Sequence, residues 1–319
     1  MSRYIVRRLL AMGPLLVLIT SIIFFVGQYG AGDLAAYLTA QQGGGRIDPV
    51  LYHTFRQRLQ LDQPFYVRYG DWLGHAIHGD LGVSYVSAGE PSVNYLIAQA
   101  LPISLQIGLA ALVLVVLVGI PAGILAALFR NGPVDQAVVG AATVLSSVPL
   151  FVLAPLATYV LVIQVHLVPS VGIGWHGLVD QASILPVGVL AANSCLTTVR
   201  FTRASVLETL GQDYVRAARA KGLQEWRVVA RHVVKNALIP VLSALGLTTS
   251  YLLSGSLFVE IVFNLQGFGM LTYNALEHGD IQTLSGVILV TALILMLTNL
   301  VTDILYSVAD PRVKLGARA

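Results

Sequence analysis

Residues 103–129 read ISLQIGLAALVLVVLVGIPAGILAALF, an apolar stretch that contains no charged side chain. A helix of about 20 apolar residues crosses the hydrocarbon core of a bilayer, which is roughly 30 Å thick, so this stretch is long enough to span a membrane. Further apolar stretches occur at residues 5–26, 136–163, 182–199, 238–261 and 281–305. The sequence therefore predicts an all-α, polytopic membrane protein with six transmembrane helices.

The composition excludes an ordinary soluble enzyme. Of the 319 residues, 56% are hydrophobic and 11% are charged, against roughly 45–50% and 25% in average soluble domains. The formal net charge of +3 is too small to indicate binding to nucleic acid. The single cysteine, Cys195, lies in an apolar stretch and cannot form an intramolecular disulfide, so we expect a buried and unreactive thiol.

Prolines and glycines predict where the spans begin, bend and pack. Pro102 and Pro240 lie where spans two and five begin, positions at which a helix tolerates a missing N–H. Gly119 and Gly123 in span two form a small-xxx-small pair, a pattern that permits close helix packing. Prolines inside spans predict kinks. These are Pro121, Pro149, Pro155 and Pro186.

The distribution of basic residues predicts the orientation in the membrane. Fifteen of the 19 Lys and Arg residues lie in the alternate segments 1–8, 130–135, 200–235 and 306–319. Cytoplasmic loops of membrane proteins carry an excess of Lys and Arg. We therefore predict a multi-pass protein of the plasma membrane with both termini in the cytoplasm.

The chain divides into three predicted regions. Residues 1–30 hold the cytoplasmic N-terminal end and the first transmembrane helix. Residues 31–100 are too many for a plain connection between spans and contain amphipathic stretches, so they predict an extracytoplasmic helical subdomain. Residues 101–319 form a five-helix membrane core, with a cytoplasmic loop at residues 200–235 between spans four and five.

The cytoplasmic loop at residues 200–235 carries eight basic residues and a helical pattern that Gly222 interrupts. Because glycine in a helix interior costs about 1 kcal/mol relative to alanine, we predict that one helix ends there and another begins after it. Ala217, Ala218 and Ala220 give the first helix a smooth surface for close approach. Such a helix suits insertion into the groove of a partner. A solvated basic face that only fixes the topology is an equal alternative.

The sequence contains no recognisable catalytic motif. None of Lys221, Lys235 and Lys314 is followed by Ser or Thr, so there is no phosphate loop of the G-x-x-x-x-G-K-[ST] kind. No H-E-x-x-H pair and no G-x-S-x-G elbow occurs. Residues 172–177 match G-x-G-x-x-G, but they lack the strand-turn-helix context of a dinucleotide site, so we interpret the match as chance. We predict a non-enzymatic chain without catalytic residues or metal ligands.

Two acids lie in the spans, Glu260 near the outer end of span five and Asp303 near the inner end of span six. Since a proton-driven carrier places acids or histidines deep in the membrane, this scarcity disfavours that mechanism. Polar side chains of spans four and five are candidates for lining a solute path, with helix packing as the equal alternative. The candidates are Asn193, Thr197, Thr248, Tyr251, Ser254 and Glu260.

The cytoplasmic loop resembles that of a known family. Residues 213–222, DYVRAARAKG, and residues 231–240, RHVVKNALIP, are similar to the ATPase-coupling loop of binding-protein-dependent ABC importer permeases of the dipeptide, oligopeptide and nickel branch. The resemblance covers nearly the whole chain and is specific for the first, B-type permease subunit. It also rests on RYIVRRLL at 3–10, LDQP at 61–64, GDLG at 79–82, GFG at 267–269 and DPR at 310–312.

The chain departs from the family pattern at three points. The general importer signature opens with Glu-Ala-Ala, whereas residues 216–218 are Arg-Ala-Ala. Pro240 lies 18 residues after Gly222, further than in sugar importers, and Phe268 stands where the family often has Leu. The peptide branch tolerates such variation, so the role implied for the loop is unchanged.

The resemblance implies a non-catalytic permease that forms half of the translocation pore of an ATP-driven importer. The implied partners are a second homologous permease subunit, two ATPase subunits or a fused ATPase, an extracytoplasmic solute-binding protein and the lipid bilayer. ATP and Mg²⁺ would be bound by the ATPases, so no cofactor is expected in this chain. The residues implied to couple to the ATPase are Arg216, Ala217, Ala218, Arg219, Ala220, Lys221, Gly222, Leu223 and Glu225.

The substrate is the least determined part of the prediction. Family frequency favours short peptides, either di- or oligopeptides, and relatives of the same architecture make nickel chelates or haem the alternatives. From other classes, an ATP-independent channel and an intramembrane enzyme remain alternatives. The enzyme would need convergent acids, histidines or metal ligands on facing spans, and the sequence indicates none.

Overall fold

A computed structural model of the chain describes residues 2–30, 32–87, 89–169, 175–253 and 257–309. Within these ranges the secondary structure is helical, and the only pairing of extended backbone is an isolated bridge between Val83 and Ser92. The predicted all-α class is therefore confirmed for the described part of the chain.

The helices are joined by connections of different lengths. The first four are α1 (Ser2–Gly30), α2 (Leu34–Gln42), α3 (Pro49–Arg58) and α4 (Phe65–Ile77). Next come α5 (Val93–Leu114), α6 (Ile120–Leu128), α7 (Pro133–Ser146), α8 (Leu150–Thr158) and α9 (Ile184–Leu210). The last six are α10 (Asp213–Ala220), α11 (Glu225–Val228), α12 (Lys235–Leu253), α13 (Leu257–Val262), α14 (Phe268–Glu277) and α15 (Ile281–Ala309). Three π-helical segments, Val115–Gly119, Tyr159–Gln164 and Val229–Val234, continue α5, α8 and α11.

The described helices confirm a multi-pass membrane protein. Four helical runs are long and apolar enough to span a bilayer: Val93–Leu128, Gln181–Leu210, the helices within Glu225–Val262, and Ile281–Leu305. The helix α7 and the helix α8 with its π segment meet at a bend of 104°. If these two form one broken span, the number of candidate spans is five. Within α1, Leu10–Val26 is a shorter apolar helix. The count of six spans stays a prediction.

The prolines do not all act as predicted. The prediction that Pro102 and Pro240 begin spans was wrong, since both lie inside helices, α5 and α12. These helices begin earlier because more polar residues precede the apolar stretches and continue the same helix. Pro149 lies at the bend between α7 and α8, as predicted. Pro121 is the second residue of α6, just after the π-helical segment Val115–Gly119 that joins α5 to α6.

The chain forms two compact units. The first consists mainly of residues 103–266 and the described part of residues 294–319. Its centre is α9, against which the α5–α6 run packs closely at two glycines. A Cβ on Gly123 would lie 2.7 Å from both Thr202 Cβ and the Val199 carbonyl oxygen, and one on Gly119 would lie 3.2 Å from the Cys195 carbonyl oxygen. The small-xxx-small pair therefore packs helices closely, as its spacing predicted.

The second unit consists of residues 5–102 and 267–293. It contains a small core of α2 and α3 side chains and a buried polar cluster that sequence reasoning missed. The carboxylate of Asp280, only 5% exposed, accepts hydrogen bonds from Ser84 Oγ at 2.5 Å and Thr283 Oγ1 at 2.7 Å. These bonds satisfy a buried charge and fix the loop around Ser84 to the start of α15.

Candidate ATPase-coupling site and translocation face

The predicted end of a helix at Gly222 is confirmed. Gly222 has φ of +74°, its N–H donates to the Arg219 carbonyl at 2.9 Å, and the Leu223 N–H donates to the Ala218 carbonyl at 3.4 Å. These two bonds define a Schellman turn at the end of α10. A Cβ added at Gly222 would meet no atom within 4 Å. Glycine is therefore required by the left-handed backbone and not by a lack of space.

Two side chains one turn apart attach α10 to the rest of the first unit. Val215 is fully buried and Ala218 is 5% exposed, and both pack in an apolar cluster with Val206 of α9 and Val228 of α11. Ala218 therefore points inward and is not part of the smooth outer surface expected from the sequence. Ala217 and Ala220 remain exposed.

Two ion pairs lie at the ends of α10. Arg219 and Glu225 face each other across the Gly222 turn, with Nη2 to Oε1 at 2.6 Å and Nε to Oε2 at 3.1 Å. The hydrogen bonds to Glu225 raise the pKa of the Arg219 guanidinium. Arg216 pairs with Asp213 at 2.6 Å, but both side chains are largely exposed, so this pair contributes little.

The outward side of α10 and its turn carries large apolar side chains among basic ones. Trp226 is 65% exposed, and the guanidinium of Arg227 lies 5.2 Å from its ring centroid. We call this outward side the coupling surface. It consists of the exposed residues Tyr214, Ala217, Ala220, Leu223 and Trp226. Exposed aromatic and apolar side chains of this kind mark an interaction site on a protein surface.

Two of the candidate path-lining residues come together on α9 and α12. Thr197 and Thr248 line one cavity of about 220 Å³, together with Phe201, Val241 and Leu247 among others. The Thr197 hydroxyl donates to the Asn193 carbonyl at 3.1 Å, and the Thr248 hydroxyl donates to the Ala244 carbonyl at 3.2 Å. Each hydroxyl thus forms its hydrogen bond within its own helix.

The other candidates lie in different surroundings. Asn193 and Tyr251 are exposed on α9 and α12. Glu260 is 2% exposed and accepts a hydrogen bond from Ser104 Oγ at 2.6 Å, so its carboxylate lies in the interior of the first unit. Ser254 lies outside the described residues.

An ion pair that sequence reasoning missed joins α7 to α9. Arg203 donates from Nε and Nη2 to the two carboxylate oxygens of Asp135, at 2.6 and 2.7 Å, and the Asn131 N–H donates to the same carboxylate at 2.8 Å. Arg203 lies on α9 between Thr197 and the start of α10. The only sequence signal was an acid in the first turn of a helix that begins with Pro133.

Comparisons with known proteins agree with this architecture. Residues 119–315 match the family model described as binding-protein-dependent transport system inner membrane component. The chain is 35% identical to the glutathione transport system permease protein GsiC of Escherichia coli O6:H1 (strain CFT073), over 98% of this chain and 99% of that protein. It is equally 35% identical to a putative peptide permease protein of Brucella suis biovar 1, over 98% of this chain and 99% of the relative.

A solved structure shows the same fold. A chain of the MetNI methionine ABC transporter in an inward-facing conformation superposes with a TM-score of 0.56 and 17% sequence identity, covering 68% of this chain and 97% of that chain. At this identity the likeness concerns the fold alone. Taken with the family match and the near full-length relatives, it shows that this chain belongs to the binding-protein-dependent transport system inner membrane components, as a permease subunit of an ABC importer.

Proposed function

We propose that this chain forms half of the translocation pore of an ATP-driven importer of short peptides. The support for the substrate class comes from two relatives, one named for glutathione, itself a short peptide, and one named as a putative peptide permease. Nickel chelates and haem, carried by other members of the branch that the sequence resembles, are the alternative substrates.

The observation that carries the proposed mechanism is the way α10 is held. Its coupling surface is open to a partner, while Val215 and Ala218 tie it to α9 and α11. The helix α9 then runs without a break from Leu210 to Thr197 and beyond, a distance of about 20 Å at 1.5 Å per residue. A displacement of α10 by an ATPase is therefore passed along one rigid helix to the cavity of Thr197 and Thr248.

The proposed ATPase contact includes the predicted residues of the loop in different roles. Ala217, Ala220, Lys221 and Leu223 meet the ATPase. The pair of Arg219 and Glu225 spans the Gly222 turn, Arg216 makes only an exposed pair with Asp213, and Ala218 anchors α10 to α9 and α11. Gly222 makes the turn that ends the helix. The exposed aromatic Trp226 extends the contact beyond the predicted set.

The proposed solute path follows the exposed faces of α9 and α12. Asn193, Thr197, Thr248 and Tyr251 line it, since they are exposed or border the shared cavity. Ser254 and Glu260 are retained as candidates from the sequence pattern alone, since Ser254 lies outside the described residues and Glu260 is buried in the first unit. A second, homologous permease supplies the other half.

The remaining parts of the proposal concern partners and topology. Two ATPase subunits, separate or fused, bind ATP and Mg²⁺ on the cytoplasmic side, and this chain itself binds no cofactor. An extracytoplasmic binding protein delivers the peptide to residues 31–100. Both termini lie in the cytoplasm, which follows from the distribution of Lys and Arg.

The test compares Gly222→Val with Gly79→Val in the transporter reconstituted into liposomes. Gly79 ends α4 in the same turn, with φ of +83°, bonds of 3.0 Å from the Gly79 N–H to the Ala76 carbonyl and from the Asp80 N–H to the His75 carbonyl, and no atom within 4 Å of an added Cβ. Both substitutions impose the same left-handed strain on a β-branched residue.

The expected result is that only Gly222→Val abolishes ATP-dependent uptake of a labelled dipeptide or glutathione, while both variants insert normally. Uptake that survives Gly222→Val at the wild-type rate would contradict the coupling role. If the wild-type transporter takes up neither peptide, and a nickel chelate or haem stimulates its ATP hydrolysis, the substrate is one of these two alternatives.

A further inference from the structure

The helix α4 packs against the apolar part of α1 through aromatic rings. The ring of Phe24 lies 5.5 Å from that of Phe65, 5.6 Å from that of Tyr69 and 5.9 Å from that of Trp72. Because Phe24 lies within the apolar helix Leu10–Val26, the contacts place α4 beside the segment that the sequence predicts as the first transmembrane helix, and not only beyond its end.

A polar contact of Tyr69 extends the interface between α4 and α1 toward the N-terminal end of α1. The hydroxyl of Tyr69 donates to the Val17 carbonyl at 3.1 Å and lies 2.9 Å from Thr20 Oγ1. From Val17 to Phe24 is about 10 Å along a helix. A phenol placed among apolar groups requires such a partner, because an unsatisfied hydroxyl in hydrocarbon is costly. The side chains of α4 thus contact α1 over about 10 Å of the segment predicted to span the membrane.

The two faces of α4 that do not meet α1 differ in chemistry. Since successive residues turn by about 100°, Tyr66, Gly70, Leu73 and Ile77 share one face, on which Tyr66 is 74% and Ile77 is 75% exposed. The exposed polar residues Asp71 and His75 lie roughly on the opposite face. A helix with an apolar face opposite a polar one, and with aromatic residues, is typical of the membrane interface.

The apolar face of α4 continues a surface of α1. On α1, Ile22, Phe25 and Val26 are more than half exposed, and the ring of Phe25 lies 5.8 Å from that of Phe65. In a membrane helix such a surface faces lipid. We infer that α4 is an interfacial helix whose face of Tyr66, Leu73 and Ile77 is covered by the lipid of the leaflet at the C-terminal end of α1.

The test uses site-directed spin labels on the assembled transporter in nanodiscs of phosphatidylethanolamine and phosphatidylglycerol. Cys195, the single cysteine, is first replaced by alanine. Single cysteines are then introduced by Tyr66→Cys and Ile77→Cys on the apolar face, and by Asp71→Cys and His75→Cys on the polar face as matched controls. All four positions are exposed, so the substitutions disturb no packed core. Accessibility to oxygen, which concentrates in hydrocarbon, is compared with accessibility to a water-soluble nickel chelate.

The inference predicts that labels at 66 and 77 are relaxed more strongly by oxygen than by the nickel chelate, and that labels at 71 and 75 show the reverse order. Equal nickel access at all four positions would overturn it, because water would then cover the apolar face. Loss of access to both reagents at 66 and 77 would also overturn it, in favour of a protein partner on this face.

Discussion

The helices α10 and α4 end in the same glycine turn but present different surfaces. In both, a left-handed glycine closes the two hydrogen bonds of a Schellman turn. The exposed side of α10 mixes aromatic and apolar side chains with basic ones, whereas α4 separates an apolar face from a polar face. The comparison teaches that the turn is set by local backbone chemistry, while the choice of partner, protein or lipid, is set by the side chains that remain exposed.

The largest effect is expected when the anchor of α10 is removed. Val215→Asp places an unpaired charge in a fully buried position, which costs several kcal/mol, so α10 should detach from its apolar cluster. We expect the affinity for the ATPase subunits to fall about 100-fold, which corresponds to about 3 kcal/mol. The measurement is titration of ATPase subunits onto the permease in nanodiscs.

The matched control for this substitution is Val50→Asp, because Val50 is 75% exposed on α3. It should leave both the fold and the ATPase affinity unchanged. If Val215→Asp bound the ATPase as tightly as Val50→Asp, the attachment of α10 through Val215 would be irrelevant to docking.

A smaller effect should separate the two exposed aromatic side chains. Trp226→Ala removes a large, exposed indole from the coupling surface, and interface tryptophans of this kind are often worth about 2 kcal/mol, or about 30-fold in affinity. Tyr66→Ala on α4 removes a side chain that is still more exposed and should not change ATPase affinity. The comparison between the helices fails if the two substitutions weaken ATPase binding to the same extent.

The smallest effect is expected at the ion pair of Arg219 and Glu225 across the Gly222 turn. Arg219→Gln breaks the pair with Glu225, whose side chains are 41% and 60% exposed. Solvent screens such pairs, so the affinity for the ATPase should change by less than about five-fold. Arg216→Gln, at the even more exposed pair with Asp213, is the control and should have no measurable effect. If Arg219→Gln lowered the affinity for the ATPase as much as Trp226→Ala, the ion pair of Arg219 and Glu225 would contact the ATPase directly.

Local signals in the sequence predicted local structure well. The turn at Gly222 and the close packing at Gly119 and Gly123 each occur at a position where no other residue fits as well as glycine. The sequence is therefore sufficient to predict them. Similarly, long uncharged apolar stretches sufficed to predict membrane helices.

Features that depend on contacts between distant residues were not predicted. Asp135 and Arg203 are 68 positions apart, and Ser84 and Asp280 are 196 apart, so no periodicity links them. The position of α4 along α1 escaped detection for the same reason. The start of α5 was wrongly predicted at Pro102, because the more polar turns that precede the apolar stretch have no hydropathy signal of their own.

The most direct test of the proposed coupling is protection of a single cysteine from a water-soluble maleimide. In the Cys195→Ala background, Ala217→Cys reports on the coupling surface and Asp71→Cys on the polar face of α4, which is exposed. Binding of the ATPase subunits is predicted to protect the cysteine at 217 from labelling and to leave the labelling rate at 71 unchanged. Labelling at 217 that is equally fast with and without bound ATPase would contradict the assignment of α10 as the coupling helix.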